Sequence, residues 1–174
     1  VYRNAEKICK TENGNKKLIL SAVLLHDIIK TKNRKDSSIK SAKLSEKILK
    51  KNYFLDDEIK IISNAIKQHS FSKGKIPSTN EGKILQDADR LDAIGAIGLA
   101  RVFSFSGSNN RPFYDPKDPF SKNRNLDDNR WALDHFYEKL LTLEKKMNTK
   151  TGKILAKKRT KILKNFLKEI KNEI

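Results

Sequence analysis

The chain has 174 residues, of which 34% are charged, and its formal net charge is +17 at pH 7. This length permits one well-buried domain, and no apolar stretch approaches the roughly 20 residues that a membrane-spanning helix requires. The single cysteine, Cys9, excludes an internal disulfide framework and fits a reducing compartment. Because no secretory apolar segment stands at the start, the sequence predicts a cytoplasmic protein without a membrane partner.

Apolar residues recur at helical spacing along the whole chain, and no stretch alternates with a period of two for long. The pattern therefore predicts an all-α fold. We expect helices at about 1–10, 16–29, 38–51, 57–68, 80–105, 128–147 and 150–172.

Local signals predict where these helices begin and end. Residues 31–37 and 70–77 are polar or interrupted by glycine and proline, which indicates loops. Asp56 is the predicted N-cap of the fourth helix, because an aspartate carboxylate accepts hydrogen bonds from free backbone N–H groups. Residues 78–81, Ser-Thr-Asn-Glu, match a capping box in front of the fifth helix.

A long segment at about 107–126 contains three prolines and lacks helical periodicity. About 20 residues without regular structure are unusual in a compact domain, so such a loop is normally functional or disordered. Two predicted helices follow this loop and close the chain. Because neither an internal repeat nor a linker divides the sequence, we predict a single domain over residues 1–174.

The positive charge is densest between Lys150 and Lys171, where lysines alternate with apolar residues at helical spacing. This pattern is typical of an amphipathic helix whose lysines form the solvated face, and we favour that interpretation. The net charge of +17 also fits two other hypotheses, namely a patch that binds nucleic acid and the attraction of anionic small substrates.

The adjacent pair His26 and Asp27 follows an apolar run, near the predicted end of the second helix. A charged group at the edge of a core is normally exposed, hydrogen-bonded or bound to a positive charge, because unpaired burial is unfavourable. Imidazole nitrogen and carboxylate oxygen are both common ligands of divalent cations. A metal ion would therefore satisfy both side chains.

A second acidic cluster lies in the fifth predicted helix and consists of Asp87, Asp89 and Asp92. Residues three apart share a helix face, so Asp89 and Asp92 are predicted to lie together, with Asp89 near the buried side. One cation between Asp27 and Asp89 would explain both carboxylates. The alternative is that Asp89 pairs with a basic residue while the nearby histidine bonds a backbone carbonyl, and the residue types alone leave both open.

Three motifs carry a resemblance to a known family: Leu-Leu-His-Asp-Ile, a later Gln-His-Ser-Phe, and Gln-Asp-Ala-Asp-Arg-Leu-Asp-Ala-Ile-Gly-Ala. With these motifs the sequence resembles the HD-domain superfamily of metal-dependent phosphohydrolases, close to its small single-domain bacterial and archaeal members. The resemblance runs over nearly the whole length. It implies a compact multi-helix HD bundle with a long proline-containing loop and two C-terminal helices.

The resemblance also implies a metal site. Carried over by motif, the ligands of a divalent ion such as Mn²⁺ or Mg²⁺ are His26, Asp27 and Asp89. Relatives have a further histidine three residues before an Arg-Val-Tyr-like segment, which would here lie upstream of Val1. We therefore expect the first helix to be truncated at its N-terminus, and the alternative is a member that has lost this ligand.

The chemistry that the resemblance implies is hydrolysis of a phosphoester or phosphoanhydride of a nucleotide through a metal-activated water. Asp27 would both ligate the metal and orient the water. His69 ends the fourth predicted helix, and its expected role is proton transfer to the leaving oxygen or a hydrogen bond to phosphate. A surface histidine at a helix end is the structural alternative for His69.

Phosphate groups need further cations, and three residues are candidates for substrate binding. Lys30 lies three residues beyond Asp27 and is predicted to lie on the same side of its helix. Arg90 neighbours Asp89 and alternatively pairs with Asp87. The third candidate, Arg111, stands in the long loop within Arg-Pro-Phe-Tyr-Asp-Pro, which is similar to a loop of the family.

A second hypothesis is a non-catalytic HD-fold module that binds nucleic acid or an anionic nucleotide. The absent histidine and the net charge of +17 support it. The enzyme hypothesis is preferred because the motifs match the family closely. The sequence leaves the oligomeric state open between a monomer and a homodimer.

Overall fold

The structure is a computed structural model that describes residues 1–31, 34–70 and 74–174. The predicted loops 31–37 and 70–77 therefore lie partly outside the described residues. All regular structure within the described ranges is helical, which confirms the all-α prediction. Over these ranges the α-helices are α1 (Tyr2–Cys9), α2 (Lys16–Leu25), α3 (Arg34–Lys51), α4 (Asp56–Gln68), α5 (Asn80–Asp92), α6 (Gly95–Ser108), α7 (Ala132–Glu138) and α8 (Lys150–Glu173).

The chain divides into two compact units. The first unit comprises Val1–Arg90 and Asn148–Gly152, and the second comprises Leu91–Met147 and Lys153–Ile174. Every residue of the predicted metal site belongs to the first unit. A single domain over residues 1–174 remains a prediction.

The core of the first unit forms where α1 packs on α2 and where α4 packs on both α2 and α3. The buried apolar residues of α1, α2 and α4 recur at helical spacing, so each helix turns one stripe inward. These residues are Ala5, Ile8, Leu18, Ile19, Ala22, Val23, Ile59, Ile62, Ala65 and Ile66. Because α2 packs on α4, the residues that follow their C-terminal ends come close together.

Four phenylalanine rings pack against one another in the second unit. Phe103 contacts Phe113 and Phe166 edge to face, at centroid distances of 4.8 and 5.5 Å. Phe136 is fully buried and stacks on Phe166 at 5.7 Å. Such aromatic pairs add to the stabilisation that burial alone provides.

The segment between α6 and α7 carries the three prolines and is irregular, as predicted. Asp134 is fully buried and accepts hydrogen bonds from the guanidinium of Arg124, at 2.5 and 2.9 Å. The backbone nitrogen of Asp127 donates to the same carboxylate at 2.7 Å. Because these donors compensate the buried charge, they anchor the loop to α7.

The ends of two helices differ from the prediction. α2 ends at Leu25 rather than at residue 29, because the ring of His26 bonds the carbonyl of Val23 and closes the last turn. α3 begins at Arg34, inside the predicted loop 31–37. Its first turn contains Asp36, whose negative charge is favourable at a helix N-terminus.

The helix that we predicted at 80–105 is two helices, α5 and α6. Gly95 interrupts it with a φ of +84°, a left-handed conformation that glycine adopts without steric strain. The predicted helix at 128–147 is also shorter, since Lys139 leaves the helical region with φ −124° and ψ −60°. Two short 3₁₀ turns, Leu140–Thr142 and Glu144–Lys146, follow α7.

Two helix caps also differ from the predicted ones. The N-cap of α4 is Leu55, whose backbone nitrogen donates to the carboxylate of Glu58 at 3.0 Å. Within the predicted capping box 78–81, Thr79 caps α5, because its hydroxyl accepts from the backbone nitrogen of Gly82 at 3.1 Å. In both cases the prediction was wrong by one residue.

The lysines of α8 form a solvated face, as we favoured. Residues at helical spacing on the other side of this helix, such as Ala156, Leu163 and Leu167, are buried. The exposed lysines are Lys150, Lys153, Lys157, Lys158, Lys161, Lys164, Lys168 and Lys171. Along the ranges that the structure describes, no helix combines the length and the apolar character needed to cross a membrane.

Candidate metal site

Two histidines follow the ends of two neighbouring helices. His26 is the C-cap of α2, and His69 is the C-cap of α4. Both are buried, with relative exposures of 8% and 5%. Their ring centroids lie 5.1 Å apart in an edge-to-face arrangement. The packing of α2 on α4 thus brings two imidazoles together.

The same hydrogen bond sets the tautomer of both rings. The Nδ1 atom of His26 lies 2.7 Å from the carbonyl oxygen of Val23, and that of His69 lies 2.7 Å from the carbonyl oxygen of Ile66. A carbonyl can only accept, so Nδ1 carries the proton in each ring. In the neutral rings Nε2 therefore keeps its lone pair, which is the arrangement that metal-binding histidines require.

Two carboxylates lie next to these Nε2 atoms. His26 Nε2 is 3.8 Å from Asp89 Oδ1 and 4.0 Å from Asp27 Oδ2. His69 Nε2 is 3.9 Å from Asp27 Oδ1. The Asp27 and Asp89 side chains are 53% and 37% exposed, so solvent reaches the carboxylate side of the cluster while the imidazoles are buried.

The spacing of these atoms fits a shared cation better than direct hydrogen bonds. Hydrogen bonds between nitrogen and oxygen span about 2.7–3.2 Å, and all three separations are longer. Ligand atoms that lie about 2.1 Å from one ion, at right angles or wider, are about 3–4.2 Å apart. Ligand atoms of His26, Asp27 and His69 also lie within 4.8 Å of one another. The cluster of His26, Asp27 and His69 therefore offers nitrogen and oxygen donors that suit a divalent ion. Asp89, which the resemblance implies as a ligand, lies next to this cluster, at 3.8 Å from His26 Nε2.

The structure shows features of the alternative that the sequence left open, in which the histidine bonds a backbone carbonyl and Asp89 has a basic neighbour. His26 does bond a backbone carbonyl, but it does so through Nδ1 and leaves Nε2 facing the carboxylates. The charge of Arg90 acts on Asp89, as a basic partner would.

The two imidazoles differ in charge preference. Burial disfavours the charged form of His26, but Asp89, the Val23 carbonyl and Asp27 outweigh burial, so the pKa of His26 is raised above 6.5. His69 is more deeply enclosed. Burial dominates there, against the opposing effect of Asp89, and lowers the pKa of His69 below 6.5. His69 is therefore the imidazole that stays neutral near pH 7.

The three predicted phosphate-binding residues are placed differently from one another. Lys30 is exposed and lies beyond the end of α2, so helical spacing does not put it beside Asp27. Arg90 is buried. Burial lowers its pKa, and the charges of Asp87 and Asp89 oppose that shift.

Arg111 belongs to the second unit. Its guanidinium donates to the hydroxyl of Ser106 at 2.8 and 3.0 Å and to the backbone carbonyl of Asp128 at 2.5 Å. These bonds hold the start of the irregular segment on α6. A role of Arg111 in substrate binding remains a prediction.

The other two aspartates of the cluster have structural partners. Asp92 pairs with Arg101. Asp87 is fully buried and accepts hydrogen bonds from the backbone nitrogens of Asn148 and Thr149, at 2.9 and 2.7 Å. Burial raises the pKa of Asp87, and these donors oppose the rise.

Sequence reasoning missed the neighbour of Asp87. Gln86 is fully buried, and its side-chain nitrogen faces the backbone carbonyl oxygen of His69 at 3.2 Å. Gln86 stands within the family motif, but the motif alone assigns it no role. The polar pair inside the otherwise apolar stretch 84–88 is the signal that could have found it.

The chain is similar to several known proteins. The HD domain family matches residues 1–94. The chain is 30% identical to the uncharacterized protein YpgQ of Bacillus subtilis (strain 168) over 173 residues, covering 98% of the chain and 78% of YpgQ. The crystal structure of YpgQ in complex with ADP is similar, with a TM-score of 0.78, 31% identity and coverage of 99% of this chain and 82% of that one. An HD-superfamily hydrolase from Bacillus thuringiensis has a TM-score of 0.77 and 32% identity, covering 99% of this chain and 81% of that one.

Proposed function

The chain belongs to the HD domain family, and we propose that it is a metal-dependent phosphohydrolase that acts on a phosphoester or phosphoanhydride of a nucleotide. The observation that carries the proposal is the spacing of His26 Nε2 from the oxygens of Asp27 and Asp89, at 4.0 and 3.8 Å. The similarity to a solved HD-superfamily hydrolase supports the hydrolase class.

His26, Asp27 and Asp89 would hold the cation, with His26 contributing the Nε2 lone pair that its Nδ1 hydrogen bond leaves open. When bound, a divalent cation lowers the pKa of a water molecule toward about 7 and neutralises charge on phosphoryl oxygens. The two carboxylates also place negative charge beside the buried imidazole, which favours occupation of the site by a cation.

The two oxygens of Asp27 face different neighbours. Oδ2 lies towards His26, at 4.0 Å from its Nε2, whereas Oδ1 lies towards His69, at 3.9 Å. One oxygen can therefore act as a ligand while the other accepts a hydrogen bond from the attacking water. This division of roles would orient the water between Asp27 and His69.

His69 is suited to move a proton. Its Nε2 keeps a lone pair because Nδ1 is held by the Ile66 carbonyl, and its lowered pKa keeps the ring neutral near pH 7. The neutral ring accepts a proton from water during attack, and the protonated ring donates it to the leaving oxygen.

The cations around the site have separate roles. Lys30 is exposed and remains our candidate for contacting substrate phosphate. Arg90 is buried and its charge acts on Asp87 and Asp89, so it stabilises the ionised carboxylates. The interaction with phosphate is favourable for any positive group that reaches it.

A nucleotide is the proposed substrate for two reasons. The YpgQ structure contains ADP, and its similarity to this protein covers 99% of the present chain. The net charge of +17 also attracts anionic ligands such as nucleotides.

The experiment that tests the proposal measures phosphate and pyrophosphate release from a panel of nucleoside mono-, di- and triphosphates. Full-length protein is assayed with Mn²⁺, Mg²⁺, Co²⁺ or no metal. We expect hydrolysis of at least one nucleotide that depends on the metal. We also expect Asp27→Ala to lower kcat/KM by about 10³-fold or more, because it removes both a ligand and the group that orients water.

Asp57→Ala is the matched control, since Asp57 is a 91%-exposed carboxylate in a surface pair with Lys60. It should keep wild-type activity. Hydrolysis that persists in Asp27→Ala, or that is absent with every metal and every nucleotide, would contradict the proposal.

A further inference from the structure

The side-chain amide of Gln86 contacts the backbone at His69. It is fully buried in α5, and its Nε2 atom lies 3.2 Å from the carbonyl oxygens of both Gln68 and His69. The same nitrogen lies 3.0 Å from the carbonyl oxygen of Lys75. A primary amide has two N–H donors, so these three acceptors share them. The amide thus joins the end of α4 to the chain at Lys75.

A second amide determines which way Gln86 points. The side-chain nitrogen of Asn148 donates to Gln86 Oε1 at 2.9 Å. An inverted Gln86 amide would turn its oxygen towards three carbonyl oxygens and its nitrogen towards another donor. The orientation with Nε2 towards His69 is therefore the one that pairs each donor with an acceptor.

Asn148 is in turn held by Asp87. Both its backbone nitrogen and its side-chain nitrogen lie 2.9 Å from Asp87 Oδ1. Asp87 Oδ2 accepts from the backbone nitrogen and the hydroxyl of Thr149, both at 2.7 Å. The donors that surround this buried carboxylate therefore fix the segment just before α8 against α5.

We propose that Gln86, oriented by Asn148, is a positioning residue for His69. The chain of hydrogen bonds runs from Asn148 through Gln86 to the His69 carbonyl. On the other side of the same residue, the His69 ring is held by Ile66 and faces Asp27. The inference rests on the proposed function for the role of His69, and it adds the residues that hold the backbone of His69 in place.

The Gln86 amide acts on the backbone at the C-terminal end of α4, where the carbonyl groups have no hydrogen-bond donors within the helix. The last carbonyls of a helix lack intrahelical donors, and the Gln86 amide supplies a donor to those of Gln68 and His69. Without it these carbonyls turn towards water or other donors, and the His69 ring moves with its backbone. A displacement of about 1 Å of a catalytic group can lower a rate by about 10²-fold.

The test compares three variants of the full-length protein. Gln86→Leu removes the amide and keeps most of the volume. Asn148→Ala leaves Gln86 in place but removes the donor that orients it, which is the milder change if the first variant folds poorly. The third variant combines both substitutions.

We expect Gln86→Leu to lower kcat by roughly 10- to 100-fold, with KM and the dissociation constant of Mn²⁺ changed by less than about threefold. Asn148→Ala should lower kcat less. Because Asn148 acts through Gln86, the double variant should have the kcat of Gln86→Leu alone, so the two effects are not additive.

Ser45→Ala is the matched control. Ser45 is fully buried in the same unit and donates to the Ser41 carbonyl at 2.7 Å, so its loss removes one buried hydrogen bond that involves neither Gln86 nor His69. It should lower stability without a change in kcat. Equal losses of kcat in Ser45→Ala and Gln86→Leu would overturn the inference, because the effect would then be one of stability.

A measurement without turnover separates this inference from the proposed function. The chain has three histidines, so the ring signals of His69 can be assigned by NMR with a His69→Gln variant. Gln86→Leu should shift or broaden the His69 signals and leave those of His135 unchanged. Unchanged His69 signals would overturn the inference even if the enzyme is active. Shifted signals in a protein that hydrolyses no nucleotide would support the positioning role of Gln86 and contradict the proposed function.

Discussion

At the scale of single residues, the site depends on where two imidazoles carry their protons. His26 and His69 each donate Nδ1–H to the carbonyl three residues earlier in the chain. These carbonyls belong to the last helical turn, where no intrahelical donor remains. One interaction therefore satisfies the helix end, orients the ring and leaves Nε2 for a metal or a proton.

The raised pKa of His26 leads to a prediction about pH. Only the neutral ring binds a cation, so protons compete with the metal at His26. Because the pKa is raised above 6.5, the competition should begin above pH 6.5 as the pH falls. Below that pKa the affinity for Mn²⁺ should fall by about tenfold per pH unit.

Isothermal titration with Mn²⁺ between about pH 5.5 and 8 checks this prediction. Buffers of different ionisation enthalpy would show proton release upon binding. His135→Gln is the control, since His135 belongs to the second unit and pairs with Asp128 at 2.8 Å. An affinity that stays constant across this range would show that His26 is not a ligand.

Substitution of His69 separates proton transfer from metal binding. His69→Gln removes the proton-accepting Nε2 while keeping a polar side chain. We expect kcat to fall by about 10²- to 10⁴-fold, as is typical for loss of an acid–base group, with the Mn²⁺ affinity changed by less than about threefold. A loss of Mn²⁺ affinity by 100-fold or more would instead identify His69 as a ligand.

At the scale of helices, periodicity predicted which segments are helical, but the helix ends depend on contacts that periodicity does not report. The break between α5 and α6 coincides with the positive φ of Gly95. The sequence pattern does not predict this angle, because a glycine can also continue a helix. The early end of α2 depends on the ring of His26 bonding its own helix. Such ends are local choices between several near-equal hydrogen-bond arrangements.

The candidate metal site could likewise be predicted only in part from the sequence. His26, Asp27 and Asp89 could be selected because their residue types and motifs point to a metal, and the structure places carboxylate oxygens of Asp27 and Asp89 4.0 and 3.8 Å from His26 Nε2. Gln86 could not, because its partner Asn148 is 62 positions away in the chain. A contact of that separation depends on how the helices pack, which a single sequence does not determine.

A substitution at Gly152 tests the buried hydrogen bonds of Asp87, which hold the start of α8 on α5. A Cβ atom at this position would lie 2.7 Å from the Thr149 hydroxyl oxygen and closer still to the carboxylate of Asp87. We expect Gly152→Ala to lower the free energy of unfolding by about 1–3 kcal/mol, because the buried network must shift to make room. Urea denaturation measures this change.

Gly107→Ala is the matched control for Gly152→Ala. Gly107 lies in α6, and a Cβ atom there would meet nothing within 4 Å. Alanine should raise the free energy of unfolding by a few tenths to about 1 kcal/mol, since it restricts the unfolded chain. Equal effects of the two substitutions would show that the Asp87 network tolerates a side chain at Gly152.

At the scale of the whole molecule, the net charge of +17 leads to different expected effects of salt for the enzyme and for the non-catalytic module. For the enzyme, the charge attracts anionic nucleotides, so kcat/KM should fall as ionic strength rises from about 20 to 300 mM while kcat stays constant. Steady-state kinetics across this range checks the prediction. A kcat/KM that does not respond to salt would mean that the charge plays no part in substrate capture.

The non-catalytic alternative makes a different prediction about salt. A module that binds nucleic acid should show a steep linear fall of log K against log salt concentration. The exposed lysines of α8 are the surface that such binding would use. Binding to neither RNA nor DNA at low salt would contradict this alternative.

The central claim is that His26, Asp27 and Asp89 hold one divalent cation, and anomalous diffraction from crystals of the full-length protein grown with MnCl₂ tests it most directly. We expect a strong manganese peak about 2.0–2.3 Å from His26 Nε2 and from one oxygen each of Asp27 and Asp89. A strong peak elsewhere with none at these atoms, or no peak at Mn²⁺ concentrations that support hydrolysis, would contradict the claim.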